Sequence, residues 1–216
     1  MCGIAGFYNF QTGKQDQPTA TLRRMLTRIK HRGPDQSGVY LTNSVGLGSV
    51  RLSIVDLSSG TMPISNFDDS LWIVFNGEIF NHIELRQELE SKNHKFKTHS
   101  DTEVIVHLYE EYGPEFVHKL NGQFAIAIWD KNKEELFLAR DRVGIRPLYY
   151  TEVGESFVFA SEIKSMLEFP GFKPKLSPMA VSEYFTFWTS ISPGTAFEGI
   201  FEVPPGSYMT INKHSK

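Results

Sequence analysis

The chain has 216 residues, a formal net charge of −3, 40% hydrophobic and 22% charged residues, and one cysteine. That length fits one large globular domain or two small ones, and the charge balance offers no basic field for nucleic acid or an anionic lipid surface. The lone cysteine excludes an internal disulfide framework and suits a reducing cytosol, no basic segment followed by an apolar stretch marks a signal peptide, and the longest apolar runs are strand-sized, too short to span a membrane.

In chain order, residues 2–8 are small and apolar and predict a buried strand, followed by a polar loop over residues 11–18. Leu22, Met25, Leu26 and Ile29 fall at i, i+3, i+4 and i+7, one face of a helix, which Gly33 and Pro34 end. Residues 39–41 and 45–50 predict two strands around Asn43-Ser44. Residues 71–75 form the most strand-like run, expected to stop at the turn signal Asn76-Gly77. Asn81 with Glu84, and Ser100 with Glu103, each have capping-box spacing. Behind the second box, Val104, Ile105, Leu108, Tyr109 and Tyr112 make one apolar stripe. Three more strands are predicted over residues 123–129, 135–139 and 156–160. High strand content with amphipathic helices implies an α+β fold with helices on the outer faces of stacked sheets. Six of the eleven prolines lie between Pro170 and Pro205, so residues 1–168 read as the core and 169–216 as an extended proline-rich tail.

The chemistry centres on Cys2. Removal of Met1 would leave it a free α-amino group with a pKa near ~8, and a thiol beside a neutral amine carries its own general base. The plain alternative is a cysteine that happens to follow the start codon. The seven histidines are scattered without His-x-x-x-His spacing and none pairs with the cysteine, so no metal site is expected. No G-x-G-x-x-G or Walker loop predicts a nucleotide site.

Eight stretches carry a resemblance. They are Met1-Cys2-Gly3-Ile4-Ala5-Gly6, His31-Arg32-Gly33-Pro34-Asp35, Arg51-Leu52-Ser53-Ile54-Val55-Asp56-Leu57 and Phe75-Asn76-Gly77-Glu78-Ile79-Phe80-Asn81. Ser100-Asp101-Thr102-Glu103, Asn121-Gly122-Gln123-Phe124-Ala125, the run from Arg140 to Tyr150 and Phe159-Ala160-Ser161-Glu162 complete the set. In this order the chain resembles the class II glutamine amidotransferases, a branch of the N-terminal-nucleophile hydrolases. The segment from Gly199 to Gly206 is most similar to the asparagine-synthetase branch, where it leads into a synthetase domain. The resemblance implies a four-layer αββα sandwich of two stacked antiparallel sheets, and hydrolysis of glutamine to glutamate and ammonia that supplies nitrogen for asparagine synthesis. Cys2 would be the nucleophile, with the Asn76 side chain and the Gly77 N–H as oxyanion donors. Arg51 would hold the substrate carboxylate, Asp101 and Glu78 its ammonium, and backbone near Ile54 and Val55 would complete the cleft. Arg32-Gly33-Pro34-Asp35 and Arg140-Asp141-Arg142 are expected to form ion pairs near the core rather than to do chemistry.

Each role has a plainer counterpart: a type I′ hairpin turn for Asn76-Gly77, a surface arginine for Arg51, and a dipole-complementing acid in a first helical turn for Asp101. The Ser-Gly-Gly-x-Asp-Ser pyrophosphate loop of the synthetase half does not occur in this sequence. No cofactor is therefore expected here, ATP and magnesium belonging to a synthetase domain in cis or in trans. A homodimer stays open. So do two other readings, a free-standing glutaminase or nitrogen-donor subunit for another acceptor and a catalytically silent binding domain.

Overall fold

The computed structural model describes residues 2–11, 17–53 and 60–213. Ile54 and Val55 lie outside the described residues, as does Met1. The strands are β1 (Gly3–Asn9), β2 (Gln36–Leu41), β3 (Val45–Arg51), β4 (Ile64–Ser65), β5 (Leu71–Ile79), β6 (Gly122–Asp130), β7 (Glu135–Arg140), β8 (Tyr149–Val153), β9 (Ser156–Ala160), β10 (Ile200–Glu202) and β11 (Tyr208–Ile211). The helices are α1 (Pro18–Arg28), α2 (His82–Ser91), α3 (Asp101–Tyr112), α4 (Ile163–Met166) and α5 (Pro178–Phe187). The first sheet runs β10-β8-β9-β1-β3-β2 and the second β11-β7-β6-β5-β4. Every paired strand is antiparallel.

Three apolar layers follow from period-two alternation along strands buried on both faces. In β1, Ala5 and Phe7 join Leu22, Met25 and Leu26 of α1 and Met166 of α4. Ile4 and Tyr8 point the other way, into the layer between the sheets with Val74, Ala127 and Leu138. In β5, Ile73 and Phe75 join Leu89 of α2 and Val104, Ile105 and Leu108 of α3. The order of layers is helix, sheet, sheet, helix, the αββα sandwich. Burial on both faces explains why these strands read as continuous apolar runs.

Three features differ from the sequence expectation. β5 does not turn at Asn76-Gly77. Those residues continue the strand opposite Ala125 and Phe124, because nine residues of pairing with β6 outweigh a two-residue local turn preference. Asn81 does not cap α2; its side chain ties two loop groups, accepting from Asn121 N at 2.9 Å and donating to Lys119 O at 3.0 Å. Within residues 169–216, β10 pairs with β8 and β11 with β7, extending one edge of each sheet. Proline content marked this stretch as extended, yet Ile200, Val203 and Ile211 are buried, so the extended backbone is used as sheet. Ser100 caps α3 as expected, accepting from Thr102 N at 3.2 Å. Its capping-box partner Glu103 reaches further back, to Lys97 N and Thr98 N, both at 2.7 Å.

Candidate active site

Cys2 stands immediately before β1, where that strand is clamped at its start. Ile4 exchanges two hydrogen bonds with Ser161, its N–H donating to Ser161 Oγ at 2.9 Å and its carbonyl accepting from Ser161 N at 2.8 Å. Arg32 Nε donates to the Cys2 carbonyl at 3.0 Å, and Arg32 Nη1 is paired with Glu162 at 2.9 Å. The backbone of Cys2 is thus held by Arg32, from a motif that the sequence analysis assigned to ion pairs near the core. The Cys2 thiol is half-buried and lies 3.8 Å from the Leu52 carbonyl.

A cavity of about 90 Å³ opens beside this thiol, lined by Cys2, Arg51, Asn76, Gly77, Glu78 and Asp101, with Arg146 also on its wall. Six of the eight residues singled out from sequence therefore meet in one place, contributed by the chain start, the end of β3, the second half of β5 and the first turn of α3. A wider cleft of about 490 Å³ between α1 and β2 contains none of them, and its lining includes no thiol, so the smaller cavity is where the chemistry can occur.

Asn76 is fully buried, and neither atom of its side-chain amide has a hydrogen-bond partner among the described residues. A buried amide without a partner costs free energy, and such groups concentrate where a ligand will supply the missing bond. Gly77 is required by packing: a Cβ there would stand 2.1 Å from the Gln123 carbonyl oxygen and 2.8 Å from Phe124 Cα. Arg51 is buried at the end of β3, where Nη1 donates to Gln36 Oε1 at 2.9 Å. A buried guanidinium on a cavity wall does not fit the alternative of a surface arginine.

Asp101 is buried at the start of α3. Burial, the largest influence, raises its pKa, and Glu78 adds to this, against hydrogen bonding from the Ile79 N–H and the nearby His82. A carboxylate held above its ordinary range by desolvation is poised to gain from a cation placed beside it. Glu78 is exposed at the rim of the cavity.

Arg146 was not singled out in the sequence. Its Nε is buried and unpartnered among the described residues, and its backbone N–H donates to Asp141 Oδ2 at 3.0 Å. Asp141 also accepts from the N–H groups of Phe124, Val143 and Ile145, at 3.0–3.2 Å. The signal was present in the Arg140 to Tyr150 stretch, but only the fold shows that this acid fixes a loop which brings a second arginine to the cavity.

The fold is an antiparallel αββα sandwich, and one of its cavities brings together the half-buried thiol of Cys2, the Asn76 amide without a partner among the described residues, a guanidinium and a buried carboxylate. The chain belongs to the glutamine amidotransferase domain family, which it matches over residues 1–216. It is 42% identical over 98% of its length to asparagine synthetase [glutamine-hydrolyzing] 1 of Bacillus subtilis (strain 168), covering 33% of that protein. Asparagine synthetase [glutamine-hydrolyzing] 2 of the same organism is 49% identical over 79% of the chain, covering 23% of its own length. The chain therefore spans about a third or less of these relatives. Among solved structures, the glutamine phosphoribosylpyrophosphate amidotransferase of B. subtilis complexed with ADP and GMP superimposes with a TM-score of 0.71 at 21% identity, covering 99% of this chain and 48% of that one. That likeness establishes the shared fold. Among the described residues, no helix is long and apolar enough to cross a membrane.

Proposed function

We propose that this domain hydrolyses the side-chain amide of glutamine with Cys2 as nucleophile. The buried amide of Asn76, without a partner among the described residues and on the same cavity as the thiol, carries this reading most directly. With Met1 removed, the Cys2 amine accepts the thiol proton, and the thiolate attacks the amide carbon. The tetrahedral oxyanion takes a hydrogen bond from Asn76 Nδ2 and a second from the Gly77 N–H. The amine then passes the proton to the departing ammonia, and water releases glutamate from the resulting thioester. Arg51 binds the substrate α-carboxylate, where its planar fork can make two parallel bonds. Asp101 and Glu78 receive the α-ammonium. The ammonia serves asparagine synthesis from aspartate in a synthetase domain, with ATP and magnesium held there rather than in this domain.

The test is direct. Cys2→Ala should abolish glutamate release with the fold unchanged, and a glutamine-like diazo-ketone should label Cys2. Hydrolysis that survives in the alanine variant would refute the assignment. A free-standing glutaminase serving another acceptor differs only in where the ammonia goes, and assay with aspartate and ATP present separates the two.

A further inference from the structure

On the outer helical layer, His94 follows the end of α2, while His107 and Glu110 lie one turn apart on α3. Their side chains converge. His94 Nδ1 and His107 Nδ1 are 3.3 Å apart, His107 Nδ1 is 2.9 Å from Glu110 Oε2, and His94 Nδ1 is 3.6 Å from the same oxygen. We propose that these three residues form a zinc-binding site that fastens the end of α2 to α3.

The distances suit the ion. Zinc takes nitrogen and oxygen donors at about 2.0–2.2 Å in tetrahedral geometry, which sets neighbouring ligand atoms about 3.3 Å apart. The three atoms here lie on a circle of radius about 1.9 Å, so a point about 0.7 Å out of their plane stands about 2.05 Å from all three. The side chain of Glu110 is 35% exposed, leaving a fourth position toward solvent.

The outer partners point the same way. His94 Nε2 is 3.1 Å from Glu111 Oε2, and His107 Nε2 is 3.8 Å from the buried Glu103. The Glu111 carboxylate favours a proton on His94 Nε2, which turns the Nδ1 lone pair of that ring toward the common point, while His107 Nε2 has no hydrogen-bond partner among the described residues and can carry the proton when Nδ1 takes the metal. A carboxylate hydrogen-bonded behind a ligating histidine, as Glu111 stands behind His94, is the arrangement that orients imidazoles on zinc. The ring of Phe96 stands edge-on to that of His107 at 4.8 Å and limits its rotation. Without a cation a proton on His107 Nδ1 bonds to Glu110 Oε2 at 2.9 Å; a metal ion replaces that proton and takes all three donor atoms. Sequence spacing did not reveal the group, because His94 enters from a loop thirteen residues before His107.

The experiment uses the untagged chain carrying Cys2→Ala, which removes the one thiol that could compete for metal. After chelator treatment, cobalt(II) is titrated and followed by visible absorption, and zinc affinity is measured by competition with a chromophoric chelator. One equivalent should bind, with the intense absorption of tetrahedral cobalt, and zinc should raise the melting temperature. Glu111→Gln should weaken binding by roughly 10–100-fold, and His94→Ala and Glu110→Gln by more than that. These three side chains are at least partly exposed, so the variants should fold, which circular dichroism checks; His107 is left in place because it is buried. Failure to bind one equivalent, affinity unchanged in His94→Ala, or the weak spectrum of octahedral cobalt would overturn the proposal. A proton shared by the two rings would give the first of these results.

Discussion

Replacing Asn76 with leucine should separate stability from catalysis. Leucine has the same number of side-chain heavy atoms as asparagine, branched at the same carbon, so it substitutes for the amide with little change in shape. Asn76 is fully buried in β5, and its amide has no partner among the described residues. An unsatisfied buried polar group costs about 1–3 kcal/mol, and leucine removes that cost while adding apolar contact. Part of the gain is offset because methyl groups are larger than an amide's nitrogen and oxygen. We expect a net stabilisation of about 1–2 kcal/mol, which for a chain of this size raises the melting temperature by roughly 2–8 °C. Loss of one oxyanion donor should lower kcat by about 100–1,000-fold, or about 2.7–4 kcal/mol of transition-state stabilisation. Thermal unfolding and steady-state glutamate release on one preparation give both quantities. If the variant melts below the parent, the amide is a structural element. If kcat is retained, Asn76 does not face the oxyanion. Either result refutes the reasoning.

Arg51→Lys and Asp101→Asn should act mainly on KM, since in the proposed complex both groups hold parts of glutamine that do not react; steady-state kinetics that moved neither constant would remove glutamine from this cavity. Gly77→Ala should lower stability by about 1–3 kcal/mol, because its Cβ would sit 2.1 Å from the Gln123 carbonyl oxygen; an unchanged melting temperature would show that β5 and β6 can separate at no cost. Intact mass spectrometry of protein made in a host with methionine aminopeptidase should show Cys2 as the first residue, and a retained Met1 in fully active protein would exclude the amine as base. Burial alone would raise the pKa of Glu162, but hydrogen bonds from Lys164, Arg32 and His31 outweigh it and bring the value down to about 2. A folded pKa below the unfolded one stabilises the fold above the unfolded value, near 4.5, and that contribution is lost as pH falls toward 2. Glu162→Gln should therefore flatten the acid limb of the stability profile between those values, which acid-unfolding curves of parent and variant will show.

How much of this was legible in the sequence depended on the range of the interaction. The continuous apolar runs along residues 123–129 and 135–139 and the apolar stripe after Ser100 are local patterns, and β6, β7 and α3 follow them closely. Asn76-Gly77 shows the limit: the dipeptide is a turn locally and mid-strand globally, because β6 lies beside it. β10 and β11 escaped notice for the same reason, each being only a few residues long and paired with a strand far earlier in the chain. Cys2 was singled out by its place after Met1, and Arg51, Asn76 and Asp101 by motif order rather than periodicity. Arg32 and Arg146 were missed as contributors because a motif tells which residues recur together, not which atoms face the cavity.

Hydrogen-bond satisfaction divides those motifs more sharply than sequence does. Asp141 accepts four backbone N–H groups, and Glu103 accepts two as well as the Thr98 hydroxyl. Both carboxylates are buried and saturated, so they have little capacity left for a substrate, and their effect is to fix loops. Asn76 and Arg146 are the opposite case, with buried polar atoms that have no partner among the described residues, on the wall of one cavity beside the thiol. A fold tolerates such groups when the surrounding sheets over-determine their position, and here β5 is held by β6 along its whole length. Asn76 thus holds one donor and one acceptor ready for a ligand. The guanidinium of Arg51 and the desolvated carboxylate of Asp101 line the same cavity, and the proposed glutamine complex would use all three groups at once.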